Sequence, residues 1–317
     1  MRQAGDVAAA EWDGLIARFG KAFSERTMQG FAYRKPHGYA GDFEIIDHIY
    51  TRYHADDPRL HRWNAYWQSH AAAQAVRNRM AYFAATVAQR IQGPGHNRRL
   101  RLLNVASGPG RDMLHFFEQH PALADRVAFV CLEQDSAAID HAQRLCVAHR
   151  GAVEFVQANA VRFTTRERFD LVWSAGLFDY FTDRVFVSLL RRLLGLLTPA
   201  GDLVIGNFCV TNPSRAYMDL FDWQLRHRSP VALRALAAAA GAGAGVVDVR
   251  RQPSGVSQTT IGANPEVQAF MRGNVSFTPG SIAKPARQIR FYLYGLGAGR
   301  RPPHKTMRSP IALATSW

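Results

Sequence analysis

The stretch Asn104-Val-Ala-Ser-Gly-Pro-Gly-Arg-Asp112 ends an apolar run, Leu100 to Ala106, and opens a helical pattern, Arg111 to His120. Gly108 and Gly110 let the backbone turn tightly between strand and helix, and let a ligand approach with no Cβ in the way. That geometry suits a nucleotide. Glycines also occupy turns for steric reasons alone, so the surrounding chain has to decide.

Outward from this turn, short apolar runs alternate with helical stretches. The runs are Leu100 to Ala106, Val127 to Leu132, Val153 to Ala158, Leu171 to Ser174 and Asp202 to Phe208. Helical patterns fill the gaps at Ser136 to His149 and Arg184 to Leu197. The alternation predicts an α/β fold, a Rossmann-like doubly wound parallel sheet that binds small ligands at the carboxyl ends of its strands. Beyond Phe208 lie Tyr217 to Arg226, an Ala/Gly tract from Ala235 to Gly245, an extended stretch from Val246 to Arg251, and a last candidate strand in Arg287 to Leu296. Residues before the linker Gln92-Gly-Pro-Gly-His-Asn97 are mostly helical, with three- and four-residue apolar spacing over Glu11 to Phe23 and Trp63 to Gln92. Between those helices, Ala32-Tyr-Arg-Lys-Pro-His-Gly-Tyr-Ala-Gly-Asp42 reads as an ordered polar loop. The expected organisation is an N-terminal helical cap or lid over 1–97, a ligand-binding domain with a C-terminal elaboration over 98–299, and a poorly ordered tail over 300–317.

The strand ends carry the chemistry. Glu133 ends the second run, where an acidic side chain can accept both ribose hydroxyls of an adenosine, and Gln134 and Asp135 follow it. The third run ends at Gln157-Ala-Asn159-Ala160, where an amide can receive the adenine amino group, and the fourth at Trp173-Ser-Ala-Gly-Leu-Phe-Asp-Tyr180. NAD is the rival nucleotide, but its fingerprint needs a small residue where Met113 stands, so that helix and strand pack closely. With four strand-end motifs in order, residues 100–210 resemble the class I methyltransferases that use S-adenosylmethionine (SAM). The resemblance implies SAM as cofactor, with Gly108 and Gly110 flanking its methionine moiety and Ser107 beside them. It also implies Glu133 and Gln134 at the ribose, Asn159 and Ala160 at the adenine, and Ser174 to Gly176 on the sulfonium side. Glu133 departs from the aspartate more usual in the family.

A finer likeness lies in Lys35-Pro-His-Gly-Tyr-Ala-Gly-Asp-Phe-Glu44, Ala175-Gly-Leu-Phe-Asp-Tyr-Phe181, Ile205-Gly-Asn-Phe208 and Asn212-Pro-Ser-Arg-Ala-Tyr-Met-Asp-Leu-Phe-Asp-Trp223. These resemble a bacterial methyltransferase subfamily associated with the methyl ester of 3-hydroxypalmitic acid. The likeness covers about residues 31–230 and stops after Val247. It points to a small-molecule acceptor, with a carboxylate among the candidates. The candidate catalytic groups are Tyr39 and Asp42 from the lid, Asp179 and Tyr180 after the fourth strand, and Asn207 at the end of the fifth. Each has a plainer role available: Tyr39 can cap a loop, Asp42 can cap the helix Phe43 to Tyr50, and Trp223 can be core. A carboxylate acceptor needs no general base; for an amine or hydroxyl, Asp179 or Asp42 would serve. Phe178, Tyr180, Phe181 and Phe208 keep open a second SAM chemistry. Azetidine-2-carboxylate synthases resemble these methyltransferases but cyclise SAM in an aromatic pocket and release methylthioadenosine. A non-catalytic SAM-binding protein is a third reading.

Composition narrows the alternatives. The chain of 317 residues is 47% hydrophobic, enough for a sizeable core. No run approaches the roughly 18 apolar residues of a membrane helix and the N-terminus lacks a secretory pattern, so no membrane association and a cytoplasmic location are expected. The net charge of +14 is carried by dispersed arginines, with only Lys21, Lys35, Lys284 and Lys305 as lysines. Without a basic cluster, and without an Asn/Asp-Pro-Pro-aromatic element after the fourth strand, no nucleic-acid partner is expected. Cys131, Cys146 and Cys209 read as buried apolar residues, and the twelve histidines show no metal-ligand spacing, so no metal is expected.

Overall fold

A computed structural model describes residues 9–93, 98–243, 246–251 and 288–294. The tail over 300–317 and the upper boundary expected at residue 299 lie outside the described residues. The N-terminal helices are α1 (Ala9–Phe19), α2 (Met28–Arg34), α3 (Phe43–Tyr50), α4 (His61–Ser69) and α5 (Ala71–Gln92). Then follow β1 (Leu100–Val105), α6 (Arg111–Gln119), β2 (Val127–Glu133), α7 (Ser136–Leu145), β3 (Val153–Gln157), β4 (Phe169–Ser174), α8 (Asp183–Gly195) and β5 (Leu197–Phe208). The last described elements are α9 (Arg215–Leu220), α10 (Pro230–Ala239), β6 (Val247–Arg251) and β7 (Gln288–Tyr294).

The seven strands form one parallel sheet in the order β3-β2-β1-β4-β5-β7-β6. From β1 the chain steps outward to β2 and β3, and β4 then returns to the other side of β1. The connections diverge there and leave a crevice at the carboxyl ends of β1 and β4. Both faces are covered, which is why β1 and β4 are apolar almost throughout. Successive side chains of β1 divide accordingly. Leu100 and Leu102 join Phe83, Phe116 and Phe129 under α5 and α6, whereas Leu103 and Val105 join Phe186, Leu190 and Leu233 under α8 and α10. Burying a side chain of this size contributes about 1.5–3 kcal/mol.

The N-terminal helices share the first of these clusters. Phe23, Met28, Ile45, Ile49 and Trp67 are continuous with Phe221 and Trp223, and so with the near face of the sheet. Helix periodicity extends unbroken over Trp63 to Gln92, yet the structure breaks it at His70, whose backbone is extended (φ −69, ψ 146). The break depends on a distant residue: Ser214 Oγ accepts the Ala72 N–H at 3.0 Å and so caps the start of α5. β5 starts earlier than its apolar run, at Leu197, and slips register against β4 between Phe169 and Leu171. Among the described residues no helix is long and apolar enough to cross a membrane.

Candidate functional site

A cavity of about 870 Å³ opens at the switch point between β1 and β4. Its floor is made by Asn104, Ser107, Gly108 and Asp112 from the first turn, Glu133 to Asp135 after β2, Ala158 to Val161 after β3, and Ala175 to Leu177 after β4. The N-terminal segment from Lys35 to Tyr50 and the loop from Asp222 to Arg226 supply the opposite wall.

The glycine turn divides its work. Gly108 has φ +56, and a Cβ there would meet nothing within 4 Å, so this position faces open cavity. Gly110 (φ +77) does not line the cavity: a Cβ there would stand 2.9 Å from Ala142 Cβ on α7 and 3.3 Å from Met113 Cε. Its expected place beside the methionine moiety is therefore replaced by a packing role between α6 and α7. Met113 is fully buried and fills the space a small residue would leave in an NAD fingerprint. Ser107 Oγ is buried and has no hydrogen-bond partner. A buried hydroxyl without a protein partner is open to a bond from a ligand or a water.

Glu133 already accepts three backbone N–H groups. Oε2 takes Gly108 at 2.9 Å, and Oε1 takes Gln134 at 2.7 Å and Asp135 at 3.1 Å. The side chain therefore pins the glycine turn to the end of β2 while lining the cavity where ribose is expected. Asn159 Nδ2 donates to Gln134 Oε1 at 2.6 Å, which links the two strand-end motifs, and Ala160 lies beside them in the wall. Ser174 departs from expectation. It is fully buried, its Oγ donates to the Val105 carbonyl at 3.1 Å, and Ala175 and Gly176 reach the cavity in its place.

Of the five candidate catalytic groups, three line the cavity and two do not. Tyr39 donates from its hydroxyl to Asp135 Oδ2 at 2.8 Å, spanning from the N-terminal segment to the residue that caps α7. Tyr180 donates to the Ala40 carbonyl at 2.9 Å and accepts the Trp223 indole N–H at 2.9 Å. Burial raises both phenols above their usual range, so they act as neutral hydrogen-bonding groups near neutral pH. Asp179 is almost wholly buried, accepts the Phe208 N–H at 2.7 Å, and is pushed up to about 7 by burial. Asp42 is instead the N-cap of α3, its Oδ1 accepting Glu44 and Ile45 N–H at 3.0 and 2.8 Å, and is absent from the lining. Asn207 is also structural: Nδ2 donates to the Phe208 and Arg226 carbonyls and Oδ1 accepts from Arg228. Phe208, one residue on, lines the cavity instead. Phe178, one of the four aromatic residues that could have walled a pocket for SAM cyclisation, lies on the other face of the sheet against Phe186.

The Lys35–Tyr50 segment is tied to the rest of the wall at several points. Lys35 pairs with Asp222 at 2.7 Å, and the Tyr39 and Tyr180 bonds add two more, while His37 Nε2 meets Glu44 at 2.8 Å within the segment. Gly41 (φ +69) allows the close approach, because a Cβ there would sit 2.4 Å from Tyr180 Oη and 2.8 Å from Trp223 Cζ2. Gly41→Ala is expected to destabilise the fold by about 1–3 kcal/mol and to part the Trp223–Tyr180–Ala40 chain. Thermal unfolding checks this, and an unchanged midpoint would show that the latch adapts.

Two cavity residues escape a reading of strand ends. Arg79 on α5 donates from Nε to the Tyr50 hydroxyl at 2.8 Å and from Nη1 to the Ala175 carbonyl at 3.0 Å. Asp112, at the start of α6, is buried. Arg79 had a visible signal, since it stands on the apolar stripe of Val76 and Phe83, where a guanidinium needs a reason.

Comparisons with known proteins agree with this geometry. Residues 102–201 match the family model described as a methyltransferase domain. Alpha N-terminal protein methyltransferase 1 of Drosophila melanogaster is 29% identical over 114 residues, which is 36% of this chain and 36% of that protein. The chain thus spans about a third of the length of this curated relative. The crystal structure of a possible exported protein from Bordetella parapertussis has a TM-score of 0.55 at 19% identity, covering 76% of this chain and 92% of its own; this likeness is one of fold. Mitomycin 7-O-methyltransferase is similar at 17% identity and a TM-score of 0.41, over 63% of this chain and 54% of that one. Sheet order and strand-end cavity give a Rossmann-like fold of the class I methyltransferase kind, within which residues 102–201 match a methyltransferase domain, a domain whose cofactor is SAM.

Proposed function

We propose that the protein transfers a methyl group from SAM to a small molecule, with a carboxylate as the acceptor class. The observation that carries this reading is the cavity itself. Its volume of about 870 Å³ lies toward the upper end of the usual ligand-pocket range, and the lid and the Trp223 loop wall it opposite the strand ends. The residues present fit the cofactor, with Gly108 open, Ser107 Oγ unpartnered and Glu133 at the end of β2. Bound SAM supplies an activated methyl group on a good leaving group. The protein's task is then to hold an acceptor in line with that carbon, about 3–3.5 Å away.

Beyond the β4 end, the wall is formed by Asp179, Tyr180, Phe181, Phe208 and Trp223, with Arg226 as a cation; Lys35 also lines it but is paired with Asp222. Cations favour an anionic acceptor, and an ionised carboxylate needs no base. Asp179, pushed up to about 7, is substantially protonated at neutral pH and can donate a hydrogen bond to such a group. The Drosophila relative bears the name of a protein N-terminus methyltransferase. A polypeptide acceptor would need a groove along which the chain can lie, whereas here the Tyr39 and Tyr180 bonds hold the lid across the site.

Incubation with SAM and a panel of carboxylates, amines and N-terminal peptides tests the proposal by mass spectrometry. Methyl esters with matching S-adenosylhomocysteine are expected. Methylthioadenosine formed from SAM alone, or methylation confined to peptides, would overturn it.

A further inference from the structure

Arg228 is buried behind the wall that carries Asp179 and Tyr180, and does not itself line the cavity. Its guanidinium N–H groups are all engaged. Nη1 donates to the Phe178 carbonyl at 3.1 Å and to Asn207 Oδ1 at 3.0 Å, Nη2 to the Phe181 carbonyl at 2.6 Å and to Asp183 Oδ1 at 3.0 Å, and Nε to the same Asp183 oxygen at 3.2 Å. The two carbonyls bracket Asp179 and Tyr180, which share one turn of 3-10 helix, Phe178–Tyr180. Two residues earlier in the same segment, the Arg226 N–H holds the Asp179 carbonyl at 2.7 Å. The clasp is anchored on β5, where the Arg228 N–H donates to the Phe208 carbonyl at 2.9 Å and Asp179 Oδ1 accepts the Phe208 N–H. Asp183, the acidic partner of Arg228, is largely exposed. A buried guanidinium is a costly way to fill space; what it alone brings is five donors in one rigid plane.

We propose that Arg228 is a positioning residue for the acceptor: it holds Asp179 and Tyr180 at the cavity from behind and keeps a positive charge at the back of the Asp179 carboxyl. This rests on the reading of that wall as the acceptor site. A shift of the 3-10 turn would move both side chains together, and misplacement of a group that orients the acceptor costs rate even where binding survives. The charge acts on the same carboxyl. Burial pushes Asp179 up to about 7, against the opposing pull of the Phe208 N–H, Arg228 and Arg79. The Tyr180 and Tyr294 phenols also face it, and burial raises both, so they stay neutral near pH 7. Removing the charge of Arg228 therefore raises Asp179 further, whereas removing only the planar fork leaves it in place.

Two variants separate the fork from the charge: Arg228→Gln loses both, and Arg228→Lys keeps the charge on a single-point donor. In each, kcat/KM for a carboxylate acceptor should fall at least about tenfold, while S-adenosylhomocysteine affinity by calorimetry stays within about twofold and shows that the variant is folded. The pH at which kcat/KM falls, about 7 in the wild type, should rise by about one unit in Arg228→Gln and stay in place in Arg228→Lys. Denaturant unfolding reads the same shift without an acceptor. The stability difference between each protein and its Asp179→Asn counterpart should level off about one unit higher in the Arg228→Gln background. An Arg228 that only supports the fold lowers stability and cofactor affinity together with kcat/KM and leaves the pH midpoint unmoved in both variants. That result overturns the proposal, and so does an Arg228→Lys variant with wild-type kcat/KM. If Arg228→Gln does not fold, Arg228→Lys decides alone, by a loss of kcat/KM at unchanged cofactor affinity. A wild type that forms no methyl ester overturns the acceptor reading, whereas the unfolding curves still decide whether Arg228 acts on Asp179, so the two failures are distinct.

Discussion

Glu133→Ala is expected to weaken SAM binding at least about tenfold, because the acceptor site left free on its carboxylate can take a ribose hydroxyl in a charge-assisted hydrogen bond of about 1.5–3 kcal/mol. The structure adds a second loss. Both carboxylate oxygens already accept backbone N–H groups from Gly108, Gln134 and Asp135, so truncation also frees the glycine turn that lines the cavity. Glu133→Gln separates the two effects. One amide oxygen can still accept from Gln134 and Asp135, but the amide nitrogen then faces the Gly108 N–H, donor against donor. It should therefore cost about tenfold or more in affinity with a small change in thermal stability, whereas Glu133→Ala should lower both. Calorimetry paired with thermal unfolding measures this. Unchanged affinity in Glu133→Ala would remove Glu133 from the ribose site.

How far the sequence leads depends on how local each determinant is. The strand runs and the glycine turn are local, since apolar residues buried on two faces and a turn with positive φ leave direct marks in composition. Met113 is legible for the same reason, its bulk deciding what can pack behind the turn. The errors share another cause. Asn207 and Asp179 both stand where a strand or its loop ends, yet Asn207 is used up by Arg226 and Arg228, from a segment about twenty residues on, while Asp179 keeps its place in the cavity wall. Nothing near Asn207 reveals that Arg228 will be buried beside it. Ser174 and Gly176 are two residues apart and behave differently, because Ser174 is still in the ladder against β5, with its hydroxyl on the Val105 carbonyl, whereas Gly176 has left the strand. Asp42 shows a local rule winning over a functional guess: an acidic residue directly before an apolar helical stretch caps it. Arg79 stands out in the sequence as a cation on an apolar helix stripe, but its place at the cavity follows only from the packing of α5 on α6.

Asp179→Asn should remove a pH dependence that is expected of the wild type in both stability and catalysis. Burial raises the folded-state value of Asp179 from 3.8 to about 7, so between those limits the folded protein binds a proton that the unfolded chain has released. Stability therefore falls as pH rises across this window, by about 1.4 kcal/mol per unit from this one group, and levels off above about 7. Asp112, pushed up to about 6, adds a slope of the same sign at lower pH. The contribution of Asp179 is thus read as the difference between wild type and variant at each pH in denaturant unfolding. The asparagine keeps an oxygen for the Phe208 N–H, and its amide can donate to a bound carboxylate as the protonated acid does. For carboxylate methylation, kcat/KM of the wild type should fall as pH rises through about 7, while the variant stays active with a flat profile. A base that takes a proton from a hydroxyl or amine predicts the reverse, a rate rising through the same pH and an Asp179→Asn variant slower by about 100-fold or more. The direction of one pH profile therefore decides between a carboxylate and a protonated nucleophile as the acceptor, because Asp179 is the acid group buried in that wall of the cavity.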